Sequence, residues 1–248
     1  MNQPWVPAGL PTRYRLGGVA GRGGTATVWR ARDTQTGQDV VVKVLGAVPA
    51  ARFESEARAL GRLVGIAGVV DIRSVGRTGD GRPWLVEELV VGPTLADHLR
   101  SAPWPGPQVR HLVRSLGTTL AAVHGVGVVH GDLAPANVLC RSDETYVLCD
   151  FGVAALGGPA GGPVPCTPSF AAPERRAGGA ATPASDVFGL AALGWFAATG
   201  TLPTAAVSAG SGPGCHGLGR RLSAALRRAL DPDPGCRPTA AALARRAR

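Results

Sequence analysis

His130-Gly131-Asp132-Leu133-Ala134-Pro135-Ala136-Asn137-Val138-Leu139 and, ten residues on, Cys149-Asp150-Phe151-Gly152 place an acid, an amide and a second acid on two short loops. Asp132 and Asn137 are five positions apart, and Asp150 lies eighteen beyond Asp132. One carboxylate of such a set can orient or deprotonate a hydroxyl. The amide oxygen of an Asn and the other carboxylate suit Mg²⁺, a hard cation that takes oxygen ligands and usually keeps phosphates in its shell. Between the loops, residues 146–149 predict a buried strand.

Working outward, the next informative residue is Lys43. The chain has 26 basic residues, of which Lys43 is the single lysine and 25 are arginines. Lysine is a compact point charge, arginine a planar fork. Lys43 stands in Val40-Val41-Val42-Lys43-Val44-Leu45, an apolar β-type run, so it must emerge from a buried strand. That placement predicts a specific phosphate contact rather than a solvated edge charge. Upstream, Leu16-Gly17-Gly18-Val19-Ala20-Gly21-Arg22-Gly23-Gly24-Thr25-Ala26-Thr27-Val28-Trp29 reads as strand, glycine-rich turn and strand. Glycines let backbone N–H groups approach a phosphate.

These segments resemble the protein kinases. The first pair is similar to the catalytic loop H-R-D-x-x-x-x-N followed by D-F-G, and the glycine run to G-x-G-x-x-G-x-V, with Gly21, Gly23 and Val28 matching and Ala26 for the third glycine. Arg52-Phe53-Glu54-Ser55-Glu56-Ala57-Arg58-Ala59-Leu60 lies in an expected helix over 51–64 and is similar to the kinase C-helix. The resemblance makes Glu56 the partner of Lys43. Glu88-Leu89-Val90-Val91-Gly92 resembles the hinge, with Glu88 and Val90 supplying backbone contacts to adenine. Glu87 then falls where the family carries an apolar residue, and a carboxylate there is costly unless paired. Thr167-Pro168-Ser169-Phe170-Ala171-Ala172-Pro173-Glu174 resembles the substrate-docking segment. Asp186 matches the aspartate that braces the catalytic loop. Asp231 to Thr239 resembles D-P-x-x-R-P-T, in which Arg237 would pair with Glu174.

The implied fold is α+β and bilobal: a small β-rich N-lobe with one helix over residues 13–87, a hinge at 88–92, and a larger, mainly helical C-lobe over 93–248. Residues 1–12 read as a leader. Strands are expected over 69–75 and 84–90, joined by a Thr78-Gly79-Asp80-Gly81 turn. Helices are expected over 95–101 and 108–126, and an apolar one runs to Thr199. The implied activity is ATP-dependent transfer of a γ-phosphate to a protein serine or threonine, as in bacterial members of the eukaryotic-type (Hanks-type) family. Lys43, Glu56 and Asp132 would be catalytic. Gly21, Gly23, Val28, Lys43, Glu88, Val90, Asn137 and Asp150 would hold the nucleotide, and Asn137 and Asp150 the Mg²⁺ or Mn²⁺. Two departures keep other readings open. Ala134 stands where these kinases carry a lysine that steadies the γ-phosphate, which is compatible with a pseudokinase acting as a nucleotide-binding interaction module. H-G-D without that lysine also occurs in small-molecule phosphotransferases. Gly131 replaces the arginine that would meet a loop phosphate, and residues 153–165 contain no Ser, Thr or Tyr. That combination predicts competence without loop phosphorylation.

Composition narrows the class further. At 248 residues and 45% hydrophobic, the chain can bury a large core, and 17% charged residues do not suggest disorder. The net charge of +9 and pI near 10.5 would suit nucleic acid, but the arginines are scattered and not interleaved with aromatics, so none is expected. Five scattered cysteines suggest free thiols in a reducing, cytoplasmic setting. No membrane span is expected, since the longest apolar run is short of the roughly twenty residues required.

Overall fold

The computed structural model describes residues 9–22, 26–46, 50–142, 144–151, 166–204 and 217–248. The chain divides into two compact units. One comprises Met1–Gly65, Val70–Val90 and Gly152–Val164; the other comprises Ile66–Val69, Val91–Phe151 and Pro165–Arg248.

The first unit is a five-stranded antiparallel sheet with one helix. Strands β1 (Tyr14–Arg22), β2 (Ala26–Asp33), β3 (Gln38–Leu45), β4 (Ile72–Arg77) and β5 (Pro83–Glu88) lie in the order β1-β2-β3-β5-β4, and helix α1 spans Ala50–Gly61. The strands follow from β-branched, alternating sequence. Val40, Val42 and Val44 share one face and are buried with Tyr14, Trp29, Ala31, Trp84 and Val86. Leu10 belongs to the same cluster, so ordered packing begins within the stretch read from sequence as a leader. The turn between β4 and β5 closes as expected, through Gly81 N–H to Thr78 O (2.9 Å) and Thr78 N–H to Arg82 O (2.8 Å). β4 starts three residues later than the sequence suggests, because Val69 forms an isolated parallel bridge with Leu148 and the pairing with β5 begins only at Ile72. β5 ends at Glu88 rather than Val90.

The second unit is mainly helical. It contains α2 (Leu95–His98), α3 (Gly106–Gly125), a hairpin of β6 (Val138–Cys140) and β7 (Tyr146–Leu148), α4 (Pro173–Arg176), α5 (Pro183–Thr199), α6 (Arg220–Ala229) and α7 (Ala240–Arg246). Helix α3 buries Val109, Leu112, Val113, Leu116, Leu120 and Val123 at spacings of three and four, the stripe of a helix with one core face. Helix α5 is buried nearly all round, from Ser185 to Trp195. It starts on a Thr182–Ser185 capping box with Pro183 in the first turn, and ends at Gly200 with φ 71°, the usual start and stop signals. Helix α2 is shorter than expected, because Leu99 already caps it.

Gly92 shows what the backbone demands where the second unit begins. Its φ is 152°, and a Cβ there would lie 1.9 Å from the Cys140 carbonyl oxygen. Only glycine lets this segment lie against β6, where the Cys140 amide donates to Pro93 O (2.9 Å). Among the described residues, Cys140, Cys149, Cys166 and Cys236 are free thiols, and burial pushes the Cys140 thiol up to about 11. Among the same residues no helix is long and apolar enough to cross a membrane.

Candidate active site

In the sheet unit, strand register gathers the residues singled out from sequence. Gly21 pairs with Val28 across β1 and β2, Val28 with Lys43 across β2 and β3, and Lys43 with Leu85 across β3 and β5. Residues directly opposite one another in a ladder share a face. Gly21, Val28 and Lys43 therefore form one row on the face opposite the Val40-Val42-Val44 core. Gly23 lies outside the described residues, as does the side chain of Glu56.

Lys43 is buried, and its Nζ lies 2.7 Å from Glu87 Oε2. Glu87 sits on β5, two residues from Leu85, so it is the diagonal neighbour of Lys43 on the same face. The buried carboxylate that the sequence places at an apolar position is thus paired. Glu88 Oε1 accepts from the Asp71 amide (3.1 Å), and Val90 is buried.

In the helical unit, the catalytic-loop segment is held from several sides. Asp186, at the start of α5, accepts from the His130 amide (2.8 Å) and the Gly131 amide (2.8 Å), and lies 2.9 Å from His124 Nε2. His130 is buried; its Nε2 donates to Cys149 O (3.0 Å), and its Nδ1 accepts from the Asp132 amide (3.3 Å). Its ring packs against Phe151, tilted at 57° with 4.5 Å between centroids. One imidazole thereby ties the loop of Asp132 to the segment of Asp150. Replacing Asp186 by Asn keeps the shape but sets an amide NH₂ against buried donors. Asp186→Asn is expected to lose about 1–3 kcal/mol of stability, read from the denaturant midpoint.

Asp132 itself is a dense acceptor. The Thr167 amide donates to Oδ1 (2.6 Å) and the Thr167 hydroxyl to Oδ2 (3.2 Å). Asn137 Nδ2 donates to the Asp132 carbonyl (2.8 Å) and to Oδ2 (3.3 Å). Asn137 ends a 3-10 turn, Pro135–Asn137, and its carbonyl accepts from the Cys149 amide (3.0 Å). With the NH₂ committed to Asp132, Oδ1 of Asn137 is the oxygen available to a hard cation. Asp150 takes the left-handed conformation, φ 66°, uncommon outside glycine and best tolerated by Asp and Asn. The two supply only oxygen donors, the set Mg²⁺ prefers. Among the described residues no group of three or more His, Cys, Asp or Glu could hold a metal by itself.

Sequence reasoning missed three contributors. Thr167 was read as part of a docking segment, not as a donor to Asp132. Glu87 was seen as a problem rather than as a partner of Lys43. Arg175, buried on α4, was not singled out at all. Its Nη1 donates to Gly179 O (2.6 Å) and its Nη2 approaches Gly131 O at 3.4 Å. Gly131 has φ 81°, which glycine adopts at no steric cost. A guanidinium thus reaches the catalytic loop from α4, although residue 131 does not carry one. Arg237 pairs with Glu174 as expected, through two bonds of 2.7 and 2.8 Å.

A protein kinase domain model matches residues 14–211. The serine/threonine-protein kinase PknL of Mycobacterium bovis is 36% identical over 214 residues, which cover 82% of this chain and 53% of that protein. The serine/threonine-protein kinase PknA of Mycobacterium tuberculosis is 35% identical over 218 residues, 82% of this chain and 50% of that protein. The DNA damage-responsive serine/threonine-protein kinase RqkA of Deinococcus radiodurans is 34% identical over 206 residues, 78% of this chain and 31% of that protein. The chain spans about half the length, or less, of these relatives. With an antiparallel five-stranded unit, a helical unit and this match over most of its length, the chain belongs to the protein kinase domain family, in the Hanks-type serine/threonine branch found in bacteria.

Proposed function

We propose that this chain binds ATP with a divalent cation and transfers the γ-phosphate to a serine or threonine hydroxyl of a protein. The observation that carries the reading is Asp132, whose two carboxylate oxygens are fixed by Thr167 and Asn137 on a loop braced by Asp186. Asp132 would align the attacking hydroxyl and accept its proton. Lys43 would meet the α- and β-phosphates, with Gly21 and Gly23 letting the glycine loop cover them. Glu56 is assigned to orient Lys43, Val28 to pack on the adenine, and the Glu88 and Val90 backbone to meet its edge. Asn137 and Asp150 would hold Mg²⁺, or Mn²⁺ in its place. The bound ion would neutralise charge on the phosphates. Positioning and charge neutralisation supply most of the rate in this chemistry. Ala134 removes one cation that would assist, so a modest turnover is expected.

We assign residues 13–248 to a single catalytic domain with a hinge near 88–92, working in a reducing, cytoplasmic setting. The protein substrate would be a second chain or another copy of this one.

The test is thermal. A ligand that binds only the folded state stabilises it by about 2.7 kcal/mol at a hundredfold excess over Kd. ATP with Mg²⁺ is expected to raise the melting temperature of the wild type, and Lys43→Met to abolish most of that shift whatever its own baseline. An equal nucleotide shift in both proteins would remove Lys43 from the site.

A further inference from the structure

We propose that Glu87 is a positioning residue for Lys43, seating its ammonium from within the sheet. The inference rests on the reading of Lys43 as a phosphate contact and adds a carboxylate to the one, Glu56, that family resemblance assigns.

Three observations point to this role. First, both side chains are buried, at 9% and 4% exposure, and 2.7 Å apart. Removing two charges from water costs several kcal/mol per ion, and a buried ion pair can often be replaced by apolar residues with no loss of stability. The neighbouring positions on the same face are apolar, with Leu45 on β3 and Leu85 on β5 both buried. Fold stability alone therefore gives no reason for a carboxylate here. Second, the cation is lysine in a chain whose other 25 basic residues are arginines. The pair thus holds a compact ammonium with three donors, of which Glu87 engages one, rather than a fork. Third, Glu87 belongs to β5, an interior strand bonded to β3 on one side and β4 on the other. An anchor on an interior strand has a fixed backbone. Glu87 thus holds Lys43 in its row with Val28 and Gly21 independently of where helix α1 places Glu56.

A single lysine makes the test direct. In the full chain, an amine-acylating reagent can modify only Lys43 and the α-amine, which peptide mass spectrometry resolves. Acylation of Lys43 is measured at one mildly alkaline pH for wild type, Glu87→Gln and Glu56→Gln, with and without ATP and Mg²⁺, beside the kcat of each protein. A neighbouring carboxylate favours the charged, unreactive ammonium. Glu87→Gln is expected to acylate about tenfold faster and to lose about tenfold in kcat, with the KM for the protein substrate unchanged. Should that variant not fold, Glu87→Asp keeps the charge on a shorter arm and is expected to show smaller changes in the same directions. Wild-type acylation and kcat in the folded variant overturn the proposal. A raised kcat overturns it too, since Glu87 would then be competing with phosphate. Protection of wild-type Lys43 by ATP, together with no effect of Glu87→Gln, leaves Lys43 as the phosphate contact and removes only Glu87. No protection of the wild type by ATP removes both.

Discussion

Asp132→Asn is expected to abolish measurable phosphate transfer, with a fall of about a thousandfold or more, while nucleotide binding persists. The substitution is nearly isosteric. It keeps an oxygen for the Thr167 amide; its new NH₂ can donate to the Thr167 hydroxyl, and Asn137 Nδ2 gives up its 3.3 Å bond to Oδ2 but keeps the 2.8 Å bond to the residue 132 carbonyl, so the loop should hold with a small loss of stability, and Lys43 and Asp150 are untouched. What disappears is the charge that, in the proposed reaction, would orient and accept the proton of an incoming hydroxyl. General-base contributions are typically 10²–10⁴-fold. The dissociation between lost turnover and retained binding is the informative part. Transfer assays and the nucleotide-induced melting shift, run on the same preparation, measure both. A variant that retains turnover would show that Asp132 is a scaffold residue.

Arg237→Ala should produce the largest loss of stability. The Arg237 side chain is fully buried, at 0% exposure, and all five of its N–H donors are used. Nε donates to Asp231 O (2.8 Å), Nη1 to Glu174 Oε1 (2.7 Å) and Ala184 O (3.1 Å), and Nη2 to Glu174 Oε2 (2.8 Å) and Pro232 O (3.1 Å). The guanidinium also lies over the Phe188 ring at 5.0 Å. Truncation leaves Glu174 without its partner and several carbonyls without donors. Breaking such a pair costs about 3–5 kcal/mol, a large share of a typical total of about 5–15 kcal/mol. At about 2–4 °C per kcal/mol for a domain of this size, the melting temperature should fall by roughly 10 °C. Lysine has no fork and should not rescue it.

The same bridge sets an acid dependence. Burial pushes the Glu174 carboxyl up, but hydrogen bonds from Arg237 and the charges of Arg237 and Arg175 outweigh this and hold it below 4.5. A depressed folded-state pKa means the unfolded chain takes up the proton first. The stabilisation is therefore complete above 4.5 and is lost as pH falls through the lower folded value. Arg237→Ala should flatten this part of the acid-stability curve.

What was legible in the sequence was local or carried by a motif. The valine alternation of β3 and the caps of α5 are written within a few residues of the structures they form. The Asp186 brace and the Arg237–Glu174 bridge span long separations, yet were legible because each residue lies in a recognisable motif. The pairing of Glu87 with Lys43 was not, because it depends on the register of β3 against β5, and a slip of one residue would turn Glu87 to the other face. The Thr167 donors to Asp132 come from a segment 35 residues away. No periodicity announces them, and Ser169, two residues on, offers a second hydroxyl that the sequence does not distinguish from Thr167. Arg175 was missed because a buried arginine in a chain rich in surface arginines has no sequence signature of its own. The helix boundaries moved by a turn or less, where capping residues ended an element before its apolar pattern did.

Phosphate transfer by this chain is tested most directly with γ-labelled ATP. The chain is incubated with labelled ATP and Mg²⁺ and a general protein acceptor, beside Lys43→Met and Asp132→Asn, followed by phosphoamino-acid analysis. Label on serine or threonine with the wild type, and none above background with either variant, is the predicted result. ATP binding by a folded wild type that transfers no label under Mg²⁺ or Mn²⁺, or equal labelling by all three proteins, would contradict it.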